Sequence, residues 1–183
     1  MNTAVATSRG RNRIDTKSAD RSRRRPEWNP RRVRLVYGMQ ELPDNFPPAL
    51  ARTLKQFRLL EREDKMAALL SWSKKLEPLP ERFAALDRAE FTVPECQTRV
   101  DIFPERMDDG SMHFYADVNA RQSPTVAAVL AIVFAAVNDQ PAAVTLALPA
   151  DIVRQLMSDI GLGARESGLN AMIARLKRYA AAT

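Results

Sequence analysis

Apolar residues recur at the three- and four-residue spacing of a helix in five parts of the chain, which predicts five helices. The apolar stripes run from Leu50 to Phe57, from Met66 to Leu76, from Val126 to Val137, from Val153 to Ile160 and from Leu169 to Leu176. Boundary residues support these assignments. Pro78 follows the second stripe, Ser123 and Pro124 are typical of an N-cap and a first helical residue, and Pro149 and Gly161 flank the fourth stripe.

Between the second and third stripes the pattern changes to alternation, which is typical of strands. Arg99–Phe103, ending at Pro104, and His113–Val118 are separated by Asp-Asp-Gly at 108–110, and this arrangement predicts a β-hairpin. Val144–Leu148 is a candidate for a third short strand. The order of elements predicts an α+β domain, in which a small antiparallel sheet is packed with several helices.

Positive charge is concentrated at the start of the chain. The 183 residues have a net charge of +6, but residues 1–34 hold eleven basic and three acidic side chains, so the remainder carries a net charge of −2. Apart from the initial Met1, residues 1–32 contain only Ile14 and Trp28 as large apolar side chains, which predicts a disordered basic tail. We therefore expect a tail at 1–34 and one domain at 35–183, and we assign any electrostatic contact with nucleic acid to the tail alone.

Composition excludes several classes of function. The longest apolar run, Val126 to Val137, is shorter than the roughly 18–20 residues that cross a bilayer, and no apolar core follows the N-terminal charges, so we expect a cytoplasmic protein. One cysteine allows no internal disulfide and no metal site that needs two thiolates. The only histidine, His113, lies in a predicted strand and is interpreted as an ordinary hairpin residue. Neither a metal nor a cofactor of its own is expected.

Cys96 is the residue with the most distinctive chemistry. It lies in Phe91-Thr92-Val93-Pro94-Glu95-Cys96-Gln97-Thr98-Arg99-Val100, where polar, loop-type residues come directly before a strand. This setting favours a thiol at a loop tip over a cysteine packed in the core. One thiol without a partner cysteine can still accept a sulfur atom as a persulfide and pass it on by exchange.

At these residues the chain resembles the SufE family of sulfur-acceptor proteins. The resemblance runs from about Phe46 to Tyr179, in four blocks that follow in order. They are Phe57–Leu60 with Lys65 and Trp72–Pro80; Val93–Val100; Val126–Phe134; and Gly168–Ile173. Several positions differ from the usual family pattern. Glu95 stands where glycine is usual, Pro94 where histidine is often found, and Asp101 where an aromatic residue is common, while Arg121 and Gln122 stand where an acidic residue often precedes the buried helix.

The resemblance implies a function and its site. Cys96 would carry the persulfide, and Gln97, Arg99 and Arg165 would contact the partner. That partner would be a SufS-like cysteine desulfurase, which holds the pyridoxal phosphate itself, and the sulfur would pass to a SufBCD-like iron–sulfur scaffold. The chain would then be a sulfur-transfer accessory protein that stimulates the desulfurase, and not a self-contained enzyme.

Two other interpretations remain open at this point. In the first, the protein is an adaptor of the same fold in which Cys96 is inert and the tail binds nucleic acid or an acidic protein surface. In the second, it is a regulatory subunit that stimulates a desulfurase without receiving sulfur. Thiol reactivity and the effect of Cys96→Ser separate these from a sulfur carrier.

Overall fold

The computed structural model describes Met1, residues 47–158, Ile160 and residues 163–182. The chain divides into two units, Met1–Glu41 and Leu42–Thr183, and every element below belongs to the second. The predicted disordered tail and its boundary between residues 34 and 35 lie outside the described residues.

Six helices, three strands and two short 3₁₀ turns make up the described part of the second unit. The helices are α1 (Pro48–Leu59), α2 (Arg62–Ser73), α3 (Pro124–Val137), α4 (Ala142–Leu146), α5 (Ile152–Met157) and α6 (Gly163–Ala181). The strands are β1 (Val100–Arg106), β2 (Ser111–Val118) and β3 (Gln140–Pro141), and the 3₁₀ turns are Glu81–Phe83 and Arg88–Glu90. The α+β class predicted from the pattern is confirmed.

The predicted hairpin forms the main part of an antiparallel sheet of order β1-β2-β3. Its register pairs Val100 with Val118 and Arg106 with Met112. The first strand does not end at Pro104, as the pattern predicted, but continues to Arg106. Pro104 is tolerated because β1 is an edge strand of the sheet. The Ile102 N–H points away from β2 and donates to the Phe91 carbonyl, and the backbone nitrogen of Pro104, two residues later, faces the same outward side.

The third strand was predicted at the wrong place. Val144–Leu148 lies mostly within helix α4, and the third strand is the dipeptide Gln140–Pro141, which pairs with Ser111 and Met112 of β2. Asp139 reverses the chain with a φ of 59°, directly after α3. Pro141 then precedes two alanines, a start that favours a helix, and this local preference outweighs the β propensity of the residues that follow.

Helix α3 is the centre of the core. Every one of its residues except Pro124 and Ala135 is buried, as its continuous apolar sequence predicted. It packs against α1, α2 and the face of β2 that carries Phe114. The opposite face of the sheet holds Phe103 and Tyr115. Around α3, the apolar side chains of α1, α2, α5 and α6 complete one hydrophobic cluster.

Two helices depart from the predicted stripes. In α2 the buried residues are Lys65, Leu69 and Ser73, while Leu70, predicted to face inward, is exposed. The helix is therefore rotated relative to the apolar pattern, and it buries a lysine. Helix α5 begins at Ile152 and ends at Met157, so it is shorter than the stripe that reaches Ile160.

His113 connects two segments that are distant in sequence. Its Nδ1 lies 2.7 Å from Asp139 Oδ1, and its Nε2 lies 3.1 Å from Glu77 Oε2. His113 lies in the hairpin, as the sequence predicted, and it also joins the segment after α2 to the turn after α3. Burial lowers the pKa of His113, but the hydrogen bonds to Asp139 and Glu77 outweigh burial, and the pKa is raised above its usual value.

We expect this histidine to make stability depend on pH. Because its pKa is raised in the folded state, its stabilising contribution is complete below the unfolded pKa of about 6.5 and is lost as pH rises through the higher folded pKa. The difference in unfolding free energy between pH 6 and mildly alkaline pH should therefore be smaller for His113→Gln than for the wild type. Urea unfolding of both proteins across that range measures it. Since the chain has one histidine, the same dependence of unfolding free energy on pH in both proteins would contradict this assignment.

Candidate functional site

Cys96 lies at the tip of a loop with a closed base. The Val93 N–H donates to the Val100 carbonyl at 2.9 Å, and both of these side chains are buried. Within the loop, the Cys96 N–H donates to the Val93 carbonyl at 3.2 Å, which makes a tight turn. The Cys96 side chain is half-buried. A rigid, apolar base therefore holds a thiol near the surface.

Asp101 strengthens this base from the outer edge of β1. Its buried carboxylate accepts a hydrogen bond from Thr92 Oγ1 at 2.6 Å and pairs with Arg88 at 3.5 Å and Arg99 at 3.4 Å. Three partners compensate for the cost of burying the charge. Asp101, noted above as a departure from the family pattern, is thus the centre of an ionic cluster. It also directs Arg99 towards the strand.

A second connection ties the loop to the start of α3. Thr98 Oγ1 lies 2.9 Å from Ser123 Oγ, and Ser123 is buried. Ser123 occupies the N-cap position predicted for it, yet its hydroxyl makes no capping hydrogen bond. The side chain that sequence rules assign to helix capping instead binds the loop that carries the cysteine. Residues on both sides of Cys96 are therefore fixed to the core.

A cavity of about 120 Å³ opens beside the thiol. We call it the Cys96 cavity. It is lined by Glu95, Cys96, Gln97 and Thr98 from the loop, by Val126 from α3, and by Arg165, Ser167 and Gly168 from α6. The structure thus brings three of the four predicted site residues, Cys96, Gln97 and Arg165, around one space. Arg99, the fourth, does not line the cavity, and its partner is Asp101.

The wall formed by α6 is the part of the site that sequence reasoning identified least. Arg165 and Ser167 line the cavity from this helix, and Gly168 is buried against Cys96. Only Arg165 was predicted here. A glycine inside a long amphipathic helix was the available signal for Gly168, since a glycine at such a position often marks a close approach of two backbones.

The groups around the cavity support exchange at sulfur better than hydrolysis. The lining contains one thiol, one guanidinium and the exposed carboxylate of Glu95, and no histidine stands within it to act as a general base. Among the described residues, no group of three or more histidine, cysteine, aspartate and glutamate side chains is placed to hold a metal ion. Within the same part of the chain, no helix is both long and apolar enough to span a membrane.

Comparison with known proteins gives concordant matches. Residues 51–180 match the SufE family profile, described as an Fe-S metabolism associated domain. Two uncharacterised SufE-like proteins from two strains of Mycobacterium tuberculosis are each 34% identical over 143 residues, which cover 74% of this chain and 94% of theirs. A hypothetical protein from Thermus thermophilus, with a known solution structure, is 25% identical, with a TM-score of 0.63 over 75% of this chain and 99% of its own.

Proposed function

The chain belongs to the SufE family, which is associated with Fe–S metabolism, and we propose that it acts there as a sulfur carrier whose persulfide forms on Cys96. The observation that carries the proposal is the position of the thiol. Cys96 is half-buried at the tip of a loop fixed at both sides, and it opens onto a cavity of about 120 Å³. A persulfide needs both features, because it must be reached by a partner and must then be protected from other thiols.

The proposed reaction is an exchange between sulfur atoms. The Cys96 thiolate attacks the outer sulfur of a persulfide on the donor protein. The sulfur–sulfur bond of the donor breaks, its cysteine leaves as a thiolate, and a new sulfur–sulfur bond forms on Cys96. The same exchange in reverse delivers the sulfur to the next acceptor. Each step conserves the oxidation states of the pair, so no external oxidant or reductant is consumed.

The chemistry of the donor follows from this reaction. We propose a SufS-like cysteine desulfurase, whose pyridoxal phosphate supplies the carbon–sulfur cleavage, and a SufBCD-like iron–sulfur scaffold as the acceptor in the cytoplasm. We assign contact with the donor to Gln97 and Arg165, and the position of both residues in the lining of the Cys96 cavity supports this assignment. Arg99 does not line the cavity, and we retain it as a proposed donor contact because it is exposed at the base of the same loop.

Intact-mass spectrometry tests the proposal. After incubation with its cysteine desulfurase and L-cysteine, the protein should gain the mass of one sulfur atom, and a reductant should remove it. Protein whose Cys96 has first been alkylated should gain nothing. A mass that stays unchanged while the desulfurase turns over would refute the carrier function, and so would sulfur bound to the alkylated protein.

The same assay examines Arg165. Arg165→Ala should slow the loading of sulfur at limiting desulfurase concentration, because it removes a cationic contact beside the thiol. Arg154→Ala is the matched control, since Arg154 is an exposed arginine that pairs with Glu166 and does not line the Cys96 cavity. Equal loading rates for the two variants would remove Arg165 from the proposed donor contacts.

A further inference from the structure

Gly168 occupies a position where glycine is unfavourable for the helix itself. It is the sixth residue of α6, a helix of 19 residues that continues to Ala181. Glycine inside a helix is less stable than alanine, because it loses more backbone freedom on folding. Gly168 is also buried, so contact of its backbone with water does not explain why glycine occupies this position.

The close contact with Cys96 explains why glycine stands at position 168. A Cβ atom placed on Gly168 would lie 3.1 Å from the Cα, 3.3 Å from the Cβ and 3.3 Å from the Sγ of Cys96. These distances are shorter than an ordinary carbon–carbon or carbon–sulfur contact. Gly163, in the first turn of the same helix, has no atom within 4 Å of the corresponding position. The missing side chain therefore matters at Gly168 and not at Gly163.

The surroundings leave Cys96 one direction in which to yield. The base of its loop is closed by Val93 and Val100, and Thr98 is bound to Ser123 on the side of α3. Towards solvent, by contrast, its neighbour Glu95 is exposed. An atom added at Gly168 would thus press the cysteine away from α6, on the side of the Cys96 cavity and solvent, because the base of the loop and its contact with Ser123 are fixed.

We propose that Gly168 is a positioning residue for the thiol. Because Gly168 has no side chain, Cys96 packs directly against α6, and we call this contact the seat of Cys96. The closeness of this packing determines how far the sulfur is shielded from solvent. The relevance of the shelter to sulfur transfer rests on the proposed function. The seating itself does not, since it concerns only the distance between Cys96 and α6.

Alkylation kinetics in the folded protein test the seating. In Gly168→Ala, iodoacetamide should modify Cys96 about ten times faster than in the wild type, which corresponds to about 1.4 kcal/mol of added preference for the outward position. Gly163→Ala, with a methyl group added to the same helix, should react at the wild-type rate. Circular dichroism must show both variants folded. A folded Gly168→Ala that reacts no faster than the wild type would overturn the proposal.

A second variant tests the same contact by a different readout. Gly168→Cys should form a disulfide with Cys96 under mild oxidation, since the separation of 3.3 Å between the two Cβ positions is only slightly below the disulfide range of about 3.5–4.5 Å, and a small outward shift of Cys96 brings it into that range. Loss of both free thiols in the intact mass would confirm the seat, and two free thiols in the oxidised, folded protein would refute it. Neither experiment uses a desulfurase, so failure of the carrier function would leave these results unchanged.

Discussion

Cys96→Ser is expected to reduce sulfur acceptance to background while leaving the fold intact. A hydroxyl does not form a persulfide by exchange, so the reaction loses its product and not only its rate. The substitution is close to isosteric at a half-buried site, and we expect the unfolding free energy to change by less than about 1 kcal/mol. The measurement is the intact mass after incubation with the desulfurase, together with urea unfolding of both proteins.

The same variant separates a carrier from a regulatory subunit. If the protein only stimulates the desulfurase, Cys96→Ser should raise the turnover of that enzyme as strongly as the wild type does. If it carries sulfur, Cys96→Ser should lose the stimulation that depends on removing the persulfide from the desulfurase. Ser167→Ala is the matched control, because Ser167 also lines the Cys96 cavity but offers no thiol. Full stimulation by Cys96→Ser would contradict the proposed function and support the regulatory interpretation.

The elements that depend on local pattern could be predicted from the sequence. Helix α3 is buried along nearly its whole length, and a helix of that kind requires the unbroken apolar run that begins at Val126. The hairpin was evident from alternation around the turn, where Gly110 adopts a φ of 84° that favours glycine. The third strand was not, because pairing of only two residues, Gln140 and Pro141, leaves no periodicity to detect.

The site was predictable only as far as its chemistry is carried by single residues. Cys96 could be identified because it is the one cysteine, in a polar setting. The seat formed by Gly168 and the tie between Thr98 and Ser123 could not, since each joins segments that are far apart along the chain. A serine before a proline is typical of a helix cap, and nothing in the local sequence shows that its hydroxyl is used elsewhere.

Lys65 is the clearest case of a long-range contact that sequence patterns conceal, and it leads to the largest effect on stability that we expect. Its side chain is 1% exposed, in a helix where the apolar pattern placed other residues inward. Lys65 Nζ donates to the Ser158 carbonyl at 3.0 Å and lies 3.3 Å from Ser158 Oγ. It therefore connects α2 to the residue directly after α5, from which the chain continues to the helix bearing Arg165 and Gly168.

Lys65→Ala should lower the unfolding free energy by about 2–4 kcal/mol, because it removes a buried aliphatic stem and leaves the Ser158 carbonyl without this donor. Lys65→Met keeps most of the stem, so its smaller loss, about 1–2 kcal/mol, isolates the polar contribution. Lys74→Ala, an exposed lysine just beyond the same helix, is the control and should change stability by less than about 0.5 kcal/mol. Urea unfolding with linear extrapolation measures the unfolding free energy of all three variants.

If Lys65→Met proves as stable as the wild type, the stabilisation comes from packing alone and the bond to Ser158 adds nothing. If Lys65→Ala matches Lys74→Ala, Lys65 does not hold α2 to the end of α5.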